Sequence, residues 1–120
     1  GDILIVMDIQ EYSKKALRTD YADYSSFHTG DSSPRLDYGA IGLVTESAKV
    51  LDLIKKSKKN INPLAKDKLK EELGDLLWYM NLVINELNLT FTDLMESNLE
   101  KIERKYPVND IELNKLIRGE

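Results

Sequence analysis

The chain has 120 residues, 42% of them apolar, with 17 Lys plus Arg against 21 Asp plus Glu, a net charge of −4, no Cys and a single His. A chain this long buries about two-thirds of the surface its unfolded form exposes, enough for one compact core, so a large second apolar face falls to another subunit. The acidity argues against a nucleic-acid polymer or a membrane surface as partner, and the Cys and His counts exclude disulfides, thiolate zinc sites and His-rich metal centres, leaving chemistry to carboxylates, Lys, Arg, Asn and Tyr.

The longest apolar run near the start, Ile3 to Met7, is too short for a secretory core or a membrane span, so a cytoplasmic protein is expected, one domain over residues 1–120 with 1–7 as an arm. Asp8 followed by Glu11 has the form of a capping box, and Ile9, Tyr12 and Ala16 repeat with a helical period, which predicts a first short helix to about Arg18. From Thr19 to Ser33 there is no helical period but many Asp, Ser and Gly, whose side chains compete for backbone hydrogen bonds, so a long loop is expected. His28 lies there with Tyr21, Tyr24 and Phe27, a set that suits a small cluster holding the loop down or covering a base.

Pro34 after Ser33 suits a helix start. Leu36, Ala40, Leu43, Ser47, Val50, Leu51 and Ile54 then read as its apolar stripe, and Lys55 to Lys59 complement the negative end of its dipole. Asn62 and Pro63 open a third helix, with Leu69, Leu73, Leu76, Met80, Val83 and Leu87 as stripe. Between Leu76 and Ile84 that helix is apolar nearly all round and is expected to be buried on more than one side. Thr90 with Asp93 begins a fourth helix that Pro107 stops, and Ile111 to Ile117 suits a last short one. With no strand-like alternation, the class is all-α, a bundle of about four main helices completed by oligomerisation, as a homodimer or homotetramer.

One acidic arrangement stands apart. Glu72 and Asp75, three residues apart, share a face of the third helix, and Glu46 sits on the second, so three carboxylates can converge. Such hard oxygen donors suit Mg²⁺, which usually takes a few protein ligands and fills the rest with water and phosphate oxygens. A solvated acidic face is the simpler reading of any such pair. Here, however, Glu46 is flanked by Leu43, Val44, Ala48 and Val50, and Glu72 and Asp75 lead into the most apolar stretch, where an unpaired carboxylate costs several kcal/mol unless a cation answers it.

The run Gly42 to Lys56, then Glu71 to Tyr79, then Asn98-Leu99-Glu100-Lys101 and Lys105-Tyr106-Pro107, resembles the MazG-like nucleoside triphosphate pyrophosphohydrolases over about residues 8–118. That family's signature is Glu-x-x-Glu on one helix and Glu-x-x-Asp on the next, the second half being present as Glu72-Leu73-Gly74-Asp75. The resemblance implies an all-α, oligomeric, Mg²⁺-dependent enzyme, with Mn²⁺ able to substitute, that cleaves an NTP or dNTP between the α and β phosphates to give a monophosphate and pyrophosphate. It implies Glu46, Glu72 and Asp75 as metal ligands, Glu46 or Glu72 as the group that activates water, and Asn98, Lys101, Lys105 and Tyr106 as substrate contacts, with Arg118 a further candidate.

The chain departs from the signature at Lys49, which stands where the second Glu of the first half belongs. At an effective dielectric of ~20, two unit charges 4 Å apart interact by ~4 kcal/mol, and an ammonium beside a divalent ion is repelled by roughly twice that. Three outcomes stay open: Lys49 turns away or pairs with Glu46 and leaves a single Mg²⁺; it replaces a lost ion by neutralising a phosphate oxygen, a substrate-binding role; or the protein binds nucleotide without hydrolysing it. A helical interaction module with no nucleotide chemistry is the alternative of a different class. Trp78 and Tyr79, inside an apolar run, read as core or interface aromatics before base-stacking ones.

Overall fold

The computed structural model describes residues 7–20, 33–107 and 109–119, and the expected loop cluster around His28 lies outside them. Five α-helices and no strand occur among the described residues: α1 (Ile9–Leu17), α2 (Pro34–Ser57), α3 (Pro63–Glu86), α4 (Phe91–Lys105) and α5 (Asp110–Ile117). The all-α class read from the sequence is therefore the observed one. None of these helices is long and apolar enough to cross a membrane.

Each start follows from its capping residue, whose side-chain oxygen takes an N–H that the first turn leaves unpaired. Asp8 accepts from the Glu11 N–H at 2.8 Å and Asn62 from that of Ala65 at 2.8 Å, and Asn109 does the same for Glu112 at 2.9 Å. Ser33 caps α2 with Pro34 just inside it. Thr90 and Asp93 satisfy each other's backbone N–H reciprocally. At the end of α3, Asn88 adopts φ 58°, the left-handed region that asparagine tolerates. The Leu89 N–H then reaches the Ile84 carbonyl at 2.8 Å and that of Asn88 the Asn85 carbonyl at 3.1 Å, closing a Schellman motif.

The chain forms two compact units, Gly1–Leu89 and Thr90–Glu120. In the first, α2 and α3 run antiparallel: Gly39 faces Val83, Gly42 faces Tyr79, and Glu46 meets Glu72 and Asp75. Helix α1 lies on α3, where the Ser13 hydroxyl donates to Asn81 Oδ1 at 2.6 Å, Asn81 Nδ2 donates to the Ser13 carbonyl at 3.0 Å and Trp78 Nε1 to the Ala16 carbonyl at 3.2 Å. The packed rows differ from the expected stripes. On α2, Gly39, Gly42 and Glu46 are buried, while Ala40, Ser47, Leu51 and Ile54 are exposed. The two glycines, having no Cβ, let α3 approach closely, and the seam follows them instead of the larger apolar residues. On α3, Asn81, Leu82 and Ile84 are buried, whereas Leu73, Met80 and Leu87 are exposed.

The second unit holds α4 and α5. Leu94 of α4 is half-buried, Met95, Leu99 and Ile102 are exposed, and no residue of α5 is buried.

Candidate functional site

Glu46 lies two helical turns beyond Tyr38 and one beyond Gly42, so all three share the face of α2 that meets α3. On α3 the matching face carries Glu72, Asp75 and Tyr79, again at helical spacing. The antiparallel seam brings one carboxylate oxygen each from Glu46, Glu72 and Asp75 to within 4.8 Å of one another. Burial grades across the three: Glu46 is 6% exposed, Glu72 half-buried and Asp75 open to solvent. Such a set has a dry end and a wet end, the layout of a site that a water-borne ligand can enter.

Glu46 Oε1 accepts from Lys49 Nζ at 3.0 Å, but Glu46 Oε2 and Glu72 Oε2 are buried without a hydrogen-bond partner. Two anions held together in this way repel, and a proton placed on one of them relieves the pair. The Glu46 carboxyl is accordingly lowered from its ordinary range, chiefly because Glu72 can share a proton with it and then because Lys49 stands beside it, against the opposing effect of burial. Glu72 is raised, first as the proton-holding partner of Glu46, then by burial and by the negative charges of Glu46 and Asp75. Lys49 is raised by its hydrogen bond and charge contact with Glu46.

Beside the carboxylates opens a cleft of about 380 Å³ lined by Thr19, Tyr38, Glu46, Asp75, Trp78 and Tyr79. The Tyr79 ring stands edge-on to Trp78 at 5.3 Å between centroids and tilted against Tyr38 at 5.7 Å. Trp78 Nε1 also donates to Thr19 Oγ1 at 3.0 Å, which fixes the indole at the wall. The Tyr79 hydroxyl is pushed up to about 12, by burial first, then by its hydrogen bond and charge contact with Tyr38 and by the nearby Glu46 and Asp75 charges. Tyr12 is raised by burial and by Asp75. These phenols therefore stay neutral donors at physiological pH. A cleft with aromatic walls and a carboxylate end can take a flat organic group and a cation together.

Of the site residues read from the sequence, Glu46, Glu72, Asp75 and Lys49 come together in the first unit. Asn98, Lys101 and Lys105 form an exposed stripe along α4, and Tyr106 is that helix's C-cap, with Lys105 Nζ 5.8 Å from its ring centre. Arg118 caps α5. Sequence reasoning missed Tyr38 and Tyr12 and set Trp78 and Tyr79 aside as core. The signal was present in the spacing, because Tyr38 precedes Glu46 by eight residues and Tyr79 follows Asp75 by four, each on the carboxylate face of its helix.

Comparison with known proteins places the acidic cluster within a family match. Residues 40–109 match the family model described as the MazG nucleotide pyrophosphohydrolase domain, a stretch that contains all three clustered carboxylates and Lys49. The chain is also 30% identical over 91 residues to a protein named Gene 37 protein from Mycobacterium phage L5, covering 72% of this chain and 80% of that relative. No solved structure matches the chain.

Proposed function

Because the chain belongs to the MazG nucleotide pyrophosphohydrolase family, we propose that it hydrolyses a nucleoside triphosphate, ribo- or deoxyribo-, between the α and β phosphates, releasing a monophosphate and pyrophosphate with Mg²⁺ or Mn²⁺ as cofactor. The observation that carries the reading is the gathering of Glu46, Glu72 and Asp75 with two buried carboxylate oxygens left unpartnered. Buried anionic oxygens without donors are costly, and a divalent ion is the ligand that hard oxygens in this number satisfy. Glu46, Glu72 and Asp75 are the residues that would hold it. When bound, the ion neutralises phosphate charge and acidifies water.

The remaining roles fall to the chain's own groups. Water attacks the α-phosphorus, the bond to the bridging oxygen breaks, and pyrophosphate leaves. Glu46 or Glu72 orients that water and takes its proton. The aromatic cleft of Tyr38, Trp78 and Tyr79 receives the nucleoside end and shields it from solvent. The α4 stripe of Asn98, Lys101 and Lys105, with Tyr106, offers donors of the kind that bind phosphate and sugar oxygens.

Pyrophosphate release from a panel of NTPs and dNTPs with Mg²⁺ or Mn²⁺ tests the assignment: turnover is expected, and it disappears in Asp75→Ala. No release with any nucleotide and either metal would sink it. The Lys49–Glu46 contact favours one second reading, a relative that binds nucleotide without cleaving it. That reading predicts a rise in melting temperature with nucleotide in the absence of turnover.

A further inference from the structure

Resting on the metal-dependent reading above, the arrangement around Lys49 also bears on how many ions the acidic site takes. Lys49 lies one turn after Glu46 on α2, its Nζ 3.0 Å from Glu46 Oε1, with its side chain 55% exposed and that of Glu46 only 8%. The oxygens of the cluster are thus used unequally. One oxygen of Glu46 is engaged by an ammonium on the solvent side, while its other oxygen and one of Glu72 are buried and unpartnered on the inner side.

We propose that Lys49 is a built-in cation that limits the acidic site to one divalent ion and occupies the place of a second, where it meets the phosphate chain of the substrate. Three ionised carboxylates and one ammonium leave two negative charges, which a single divalent ion neutralises. A second ion on the Glu46 Oε1 side would have to sit against the ammonium, and like charges at that separation repel strongly even at the effective dielectric of a partly wet site. Lys has three N–H donors and Glu46 Oε1 uses one of them, so the others remain for an anion arriving from solvent. The ammonium then does two opposed things: it competes with the ion for Glu46, and it attracts phosphate.

That opposition makes the inference testable without turnover. Mn²⁺ binding is followed by titration calorimetry and by the loss of the free-ion paramagnetic resonance signal in the wild type, Lys49→Met and Lys49→Glu, each checked for helicity by circular dichroism. Binding of inorganic tripolyphosphate at saturating Mn²⁺ is measured in the same proteins. The expected result is one Mn²⁺ per chain in the wild type; one, bound at least about tenfold tighter, in Lys49→Met; and two in Lys49→Glu. Tripolyphosphate is expected to bind several-fold more weakly to Lys49→Met even though the ion binds more tightly. Two ions in the wild type, unchanged or weaker Mn²⁺ binding in Lys49→Met, or undiminished tripolyphosphate binding overturns the role given to Lys49 while leaving the metal site standing. No Mn²⁺ bound by any of the three folded proteins removes the metal site itself, and the role of Lys49 goes with it.

Discussion

Gly42 of α2 lies directly against the ring of Tyr79 of α3, so close that a Cβ at position 42 would overlap the ring atoms. The ring cannot easily yield, since Trp78 stands edge-on to it on one side and Tyr38 tilts against it on another. This contact sets the spacing of the two helices one turn from Glu46, and it shapes the cleft as well as the core.

Gly42→Ala should therefore destabilise the protein by about 1–2 kcal/mol, the cost of overpacking outweighing the better helix propensity of Ala. Gly74→Ala, on the same helix pair but with nothing within 4 Å of the added methyl, should stabilise by about 0.5–1 kcal/mol. Urea denaturation of both variants checks the opposite signs. A stabilised Gly42→Ala would mean that Tyr79 moves freely.

Asn81 is only 1% exposed, and its side chain joins α1 to α3. Its Oδ1 accepts from the Ser13 hydroxyl at 2.6 Å and from Asn85 Nδ2 at 2.9 Å, while its own Nδ2 donates to the Ser13 carbonyl. Asn81→Ala leaves these buried groups without partners and should cost roughly 2–4 kcal/mol. Hydrogen exchange should show α1 losing protection before α2 and α3 do; uniform loss along the chain would mean that α1 is held by other contacts.

The outer face of α2 presents Ala40, Ile41, Val44, Thr45 and Ala48 without a charge among them, Val44 being 72% exposed and Ile41 55%. An uncharged apolar row can meet its own copy across a twofold axis with no like-charge penalty. A homodimer through this row is the expected state, and light scattering after size exclusion should find twice the chain mass. Val44→Asp should halve that mass. If it leaves the mass at twice the chain, the row is not the dimer face.

How much of this was legible beforehand depended on the scale of the signal. Helix starts were readable because each is written locally, in Asp8, Ser33-Pro34, Asn62-Pro63 and Thr90 with Asp93, where a single side chain satisfies the backbone a few residues on. The packed faces were less so: apolar periodicity pointed to Ala40, Leu51 and Met80, whereas the seam follows Gly39 and Gly42, whose contribution is the absence of a side chain and leaves no hydropathy signal. Asn81 was hidden for the converse reason, as a polar residue whose partners on α1 lie 68 positions away. The acidic cluster could be read because Glu72 and Asp75 share a helix face and Glu46 sits in an apolar setting. Its aromatic wall went unread because Trp78 and Tyr79 look the same in a core as in a cleft.

In the metal-free protein Glu46 is lowered and Glu72 raised from the ordinary glutamate value of 4.5. For Glu46 the folded state binds fewer protons than the unfolded one below that value, so its contribution to stability is lost as pH falls through its depressed pKa. For Glu72 the folded state binds more protons above that value, so its contribution is present at low pH and is lost as pH rises through its raised pKa. The pair should therefore favour folding most between the depressed pKa of Glu46 and the raised pKa of Glu72, where it carries one proton, and lose that advantage as pH rises through the raised one and both groups ionise. Glu72→Gln removes the rising-pH loss. Urea midpoints taken from pH 4 to 8 in a chelator should fall with pH more steeply in the wild type than in Glu72→Gln, and Mg²⁺ at a hundredfold excess over its dissociation constant should restore about 2.7 kcal/mol to the wild type at pH 7. Parallel profiles for the two proteins would show that Glu46 and Glu72 ionise independently and that no proton is shared between them.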